Sequence, residues 1–132
     1  MLTIKETGVQ YPRVSLDAVN FAKSVGHSVA WVTRPLTYTT SIDANNMVVK
    51  TYVDDITNAE IGDALRLIRD LLLAEIDWVR SRHSDEKLLG GTTTLTEQQY
   101  LDYLGYVQAM RDVPTQAGFP TSVVWPVSPV QQ

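Results

Sequence analysis

The chain has 132 residues, 44% of them hydrophobic and 20% charged, which is the size and composition of one folded domain, alone or with a small appendage, and excludes a disordered chain. Its 11 Lys and Arg stand against 15 Asp and Glu, a net charge of −4, which argues against the basic footprint of a nucleic-acid binder. There is no Cys, so a disulfide framework, a thiolate metal site and a Cys nucleophile are excluded.

Residues 1–56 carry most of the β signal. Met1–Glu6 lacks the basic region and apolar stretch of a secretory signal. Ser15 is placed to N-cap a short helix through Leu16, Val19 and Phe21 toward Val25, with Gly26 as its stop. The same stretch can also be read as extended throughout. Val29–Thr33, between Gly26 and Pro35, has the branched and aromatic composition of a strand. Leu36–Ile42 and Met47–Val53 read as two further strands. Asp43-Ala44-Asn45-Asn46 between them is a turn, because Asn and Asp tolerate positive φ and bond their own backbone. A β-hairpin is the local unit this predicts.

Thr57-Asn58-Ala59-Glu60 is a capping-box pattern. Ile61, Leu65, Ile68, Leu72, Ile76 and Val79 follow at steps of three and four, which predicts a helix over 58–83. Arg66 with Asp70, and Asp77 with Arg80, are expected to pair on its wetter side. Its run Leu71–Ala74 is far too short to span a bilayer. A polar loop with Gly90-Gly91 separates this helix from a second one. That helix has two overlapping boxes at its start, Thr94 with Glu97 and Thr96 with Gln99, and runs to Val113 before Pro114. Two helices joined in this way favour an antiparallel pair. The last 19 residues hold four of the six prolines, with Phe119, Val123, Val124 and Trp125 among them. Such density forbids helix, and such apolar content is unusual for a solvated linker. The expected fold is therefore α+β. A small β-rich region with a hairpin (1–56) precedes an antiparallel helical hairpin with an extended Pro-rich tail (57–132).

The chemistry-bearing residues do not form a catalytic pattern. His27 lies at a turn, and His83 is read as a helix-end residue without a second His at metal spacing. Asp54-Asp55 precede a helix and lack a calcium-loop sequence. Glu75 and Asp77 point to different faces of one helix. Gly90-Gly91 has no following Lys-Ser/Thr, and there is no Gly-x-Ser-x-Gly. No cofactor, metal, small-molecule substrate or membrane is implied, and the reading is of a soluble, non-secreted, non-enzymatic domain.

The second half carries a linked set of features. Arg69-Asp70 and Asp77-Trp78 fall in the first helix. Tyr106-Val107-Gln108-Ala109-Met110-Arg111-Asp112 closes the second. Gly118-Phe119-Pro120 and Trp125-Pro126 follow in the tail. Over residues 64–129 this resembles the tail assembly chaperone and tail-fibre assembly proteins of tailed bacteriophages. Val107 stands where such proteins usually have Arg, and Met110 where they have Leu. The loop at Gly90-Gly91 is also longer than is common among them. The resemblance implies a protein without catalysis that helps a trimeric tail fibre fold and assemble in the host cytoplasm. Some such proteins stay at the fibre's distal end in the virion.

Three functions stand open on that basis: an assembly chaperone or tip-capping protein, a structural tail or baseplate component, and a small enzyme. The first accounts best for the residues. The N-terminal region, Val29 to Tyr52 in particular, is expected to contact the fibre, with Trp31, Tyr38, Met47 and Tyr52 as its anchors. Phe119 and Trp125 are expected to dock the tail on the helices, as core residues or as part of a partner site. Arg69, Asp70, Arg111 and Asp112 are expected to tie the helices together, the alternative being two separate solvated pairs.

Overall fold

A computed structural model describes residues 1–129. It divides by its packing into two compact units, Met1–Ile68 and Arg69 onward. The dividing point lies ten residues or more beyond the 56/57 boundary expected from sequence, inside a helix.

The first unit holds a three-stranded antiparallel sheet of β1 (Leu2–Ile4), β2 (Gln10–Tyr11) and β3 (Val29–Trp31), in the order β2-β1-β3. The central strand β1 is buried at all three positions. Helix α1 (Leu16–Ser24) sits between β2 and β3 in the chain. The Ser15 hydroxyl accepts from the Ala18 amide, and Gly26 takes φ +76° at the far end, both as the sequence predicts. Its buried face is Ala18 and Ala22, however, and Phe21 is exposed. Strands β4 (Thr37–Ile42) and β5 (Val48–Val53) form a separate two-stranded hairpin. Helix α2 (Asn58–Ile76) follows, with the predicted capping box in place: the Glu60 amide donates to Thr57 Oγ1, and the Thr57 amide donates to Glu60 Oε1. Ala30, Val32, Ile56 and Ile61 form a core with Leu36 and Leu65 against it. Each such aliphatic side chain contributes roughly 1.5–3 kcal/mol when fully buried. The first turns of α2 thus belong to the strands that precede them.

The single helix expected over 58–83 is two helices, α2 and α3 (Trp78–Leu88), broken at Asp77. The cause lies on α4 (Glu97–Arg111). Its fully buried Tyr103 donates its hydroxyl to the Ile76 carbonyl at 3.3 Å, and the Arg80 amide bonds the Asp77 carbonyl instead, a three-residue step. Periodicity cannot reveal this, because the competing donor is 27 residues away. Because α3 extends to Leu88, His83 is not a helix-end residue. It is 3% exposed and stacked on Tyr100 with ring centroids 3.8 Å apart. Ile76, Val79, Tyr103 and Val107 make the core of the second unit. At the start of α4 only the Thr96–Gln99 box forms. Thr94 gives its amide and hydroxyl to Glu86, and Lys87 pairs with Glu97.

After α4 a 3-10 turn at Val113–Thr115 leads into the tail. Residues 123–129 hold no helix or strand, and Val130, Gln131 and Gln132 lie outside the described residues. The Gln116 amide group clamps the tail: its Nε2 donates to the Val124 carbonyl at 2.7 Å, and the Val124 amide donates to its Oε1 at 2.9 Å.

Two substitutions in the second unit have opposite expected signs. Tyr103→Phe removes one buried hydrogen bond and should lower stability by about 1 kcal/mol. Neither ring nitrogen of His83 has a hydrogen-bond partner among the described residues. His83→Phe keeps the stacked ring, relieves an unpaired buried polar group and should raise stability by about 1 kcal/mol or more. Urea midpoints of the two variants at pH 7 check both.

Candidate functional site

The hairpin is a surface without a core of its own. Its register pairs Tyr38 with Tyr52, Thr40 with Lys50, and Ile42 with Val48 on one face. Thr37 with Val53, Thr39 with Thr51, and Ser41 with Val49 occupy the other. All of β4 and the first four residues of β5 are exposed. At the tip Ile42 is 68% exposed, Met47 63% and Val48 70%. In the turn Asp43 Oδ1 accepts from the Asn45 and Met47 amides, and Asn46 adopts φ 60°, the conformation that Asn tolerates.

Such a hairpin is marginal alone in water, and two anchors at its base hold it. The first is Tyr52. Its hydroxyl donates to the Lys5 carbonyl at 2.7 Å, and its ring covers Gly8, where a Cβ would lie 2.8 Å from a ring carbon. Gly8 also has φ +74°, so it is required twice over. Burial pushes the Tyr52 phenol up. Beside it Lys5 reaches Asp54 at 2.7 Å.

The second anchor is Arg34. Its Nε and Nη2 meet both Glu60 oxygens, at 3.2 and 3.1 Å, and Nη2 also reaches Asp55 at 3.0 Å. The other Asp55 oxygen accepts from the Thr37 hydroxyl at 2.6 Å. One guanidinium thereby joins the exit of β3, both ends of the hairpin and the capping box of α2. A planar five-donor group suits this, where a Lys would not. The Thr37 hydrogen bond, with Arg34 behind it, holds Asp55 below the ordinary carboxylate value. Burial pushes Glu60 upward, but Arg34 and Thr57 outweigh it and the net shift is downward.

Of the four expected anchors, Tyr38 and Met47 are exposed on the hairpin. Tyr52 is occupied in holding the hairpin down, and Trp31 is half-buried in the three-stranded sheet opposite Leu2. Sequence reasoning missed Ile42 and Val48. Strand alternation predicts one buried face, and only the absence of a covering layer reveals both as open. In the second unit, Arg69 pairs with its neighbour Asp70, and Gln108 donates to Asp112. The polar contacts found for these acids are local to one helix. Arg66 reaches Asp63 at 3.5 Å, and Arg80 approaches Asp77 at 3.9 Å. Phe119 and Trp125 are both half-buried. Among the described residues no group of three or more His, Asp or Glu is placed to hold a metal. No described helix is long and apolar enough to cross a membrane.

A family model described as phage tail assembly chaperone protein matches residues 62–130, just over half of the chain. The chain belongs to the phage tail assembly chaperone family. No curated protein and no solved structure matches it. The family stretch begins in α2 and takes in α3, α4 and the tail, so the hairpin of this chaperone-family chain lies outside it.

Because Glu60 and Asp55 have lowered values in the folded state, each contributes stability that is present above its unfolded value. That contribution is lost as pH falls through the folded value. The first unit should therefore weaken as pH drops below about 4. Glu60→Gln should lower its urea midpoint at pH 7 and flatten the acid limb. Urea titrations from pH 7 to pH 3 follow both effects.

Proposed function

We propose that this chain is an assembly chaperone for a phage tail fibre, and that it acts by binding rather than by catalysis. Family membership supports the assembly role. The observation that carries the finer reading is the β4–β5 hairpin, anchored at its base and uncovered along its length, with Ile42, Met47 and Val48 in solvent. Unfinished fibre strands expose unpaired edges and apolar side chains, which aggregate unless covered. A hairpin of the two-stranded sheet leaves one outer edge free on each strand. It can therefore add strands to the fibre and pair its apolar tip with the fibre's side chains. The helices and clamped tail of the second unit form the family body, and assembly takes place in the host cytoplasm.

The test is co-expression with a tail-fibre gene of the same phage. Soluble fibre trimer should appear only when both proteins are made. Ile42→Lys with Val48→Glu, an opposite-charge cross-strand pair at positions this exposed, should change the chain's own stability by no more than about 0.5 kcal/mol each. The double variant should nonetheless yield insoluble fibre. Soluble trimer formed with the double variant would reject hairpin recognition. A fixed copy number in purified particles would mark retention at the fibre tip, and absence from them a transient chaperone.

A further inference from the structure

The second unit has a groove of about 280 Å³ whose lining combines an apolar floor with a cationic rim. Leu73, Tyr103 and Val107 form the floor, and Asp77, Arg80 and Arg111 stand at the edge. Tyr103 and Val107 are buried, while the three charged residues are exposed. The volume lies just below the roughly 300–1,000 Å³ of small-molecule pockets, and suits one or two side chains.

The two arginines differ in how they are matched. Asp112, the acid next to Arg111 in sequence, accepts from Gln108 Nε2 on both oxygens, at 3.2 and 3.3 Å. Arg111 itself makes no ion pair or hydrogen bond among the described residues. Arg80 approaches Asp77 at 3.9 Å, the outer limit of an ion pair, and part of its guanidinium faces the Tyr103 hydroxyl oxygen. The Tyr103 hydroxyl proton goes to the Ile76 carbonyl. The floor therefore offers hydrocarbon and ring surface, and the groove's open polar capacity is guanidinium N–H. In a chain of net charge −4, this is a locally cationic site.

We propose that this groove binds an acidic side chain carried on an apolar stretch of a partner polypeptide. The carboxylate meets Arg111 and the outer N–H groups of Arg80, and its apolar neighbours lie on Leu73 and Val107. Guanidinium and carboxylate match as planar, two-point partners. Asp77 opposes the incoming charge and limits the affinity. That the polypeptide is a tail protein rests on the chaperone reading, but the groove's chemistry does not.

The experiment is an NMR titration of the ¹⁵N-labelled full chain with the peptide Ac-Leu-Glu-Leu-NH₂, with Ac-Leu-Gln-Leu-NH₂ and sodium acetate as separate probes. The Glu peptide should shift the amides of Ala74, Arg80, Val107 and Arg111, and bind about tenfold tighter than the Gln peptide. Arg111→Gln should abolish that preference. Asp77→Asn should tighten Glu-peptide binding severalfold. It leaves the α2–α3 joint intact, because Asp77 contributes its carbonyl there and its side chain caps nothing. Equal binding of the two peptides, shifts confined to other regions, or no shifts at millimolar peptide would each overturn the proposal. So would acetate binding as well as the Glu peptide, since the apolar floor would then play no part. None of these outcomes bears on fibre rescue by the hairpin, so the two readings fail separately.

Discussion

A two-stranded hairpin exposed on both faces buries too little apolar surface to hold its own shape. In this protein Arg34 supplies what burial does not. Its guanidinium reaches Glu60 through two donors and Asp55 through one, while Asp55 takes the Thr37 hydroxyl. The hairpin is fixed at its base by charge-assisted hydrogen bonds, and its length is left free. Tyr52 reinforces this from the other side by covering Gly8 and bonding the Lys5 carbonyl. Ion pairs this close to solvent are individually weak, but several donors and acceptors converge here on one guanidinium. The arrangement gives the protein an ordered apolar surface that it does not consume in its own core.

The second unit follows a different logic. Its core is conventional, and the distinctive contact is the Tyr103 hydroxyl on the Ile76 carbonyl. That bond diverts the helix ladder, separates α2 from α3 and sets Asp77 and Arg80 beside the groove that Val107 floors. Val107 suits this position: it is 4% exposed and belongs to the Ile76, Val79 and Tyr103 core. An Arg in that place would bury a charge.

Much of the fold was legible in local chemistry. The Ser15 cap, the Gly26 stop, the Asp43–Asn46 turn, the hairpin strands and the Thr57–Glu60 and Thr96–Gln99 boxes all rest on residues within a few positions of each other. What could not be read depended on distance in sequence. Strands β1 and β2 have three and two residues, too few for any periodicity, and exist because β1 lies between partners brought from elsewhere. The break at Asp77 and the burial of His83 both come from α4. At the hairpin the aromatic and Met anchors were recognisable by type, but type does not distinguish Tyr38, which is open, from Tyr52, which is engaged. Ile42 and Val48 carried no signal, because an apolar residue in a strand is ordinarily a core residue.

The central claim is that the anchored, uncovered hairpin is the surface that engages the fibre. Hydrogen exchange of the chain alone and in its purified complex with the co-expressed fibre tests it most directly. Edge amides of residues 37–53 should exchange quickly in the free chain and become strongly protected in the complex. Unchanged exchange across that segment in a stable complex would contradict the account.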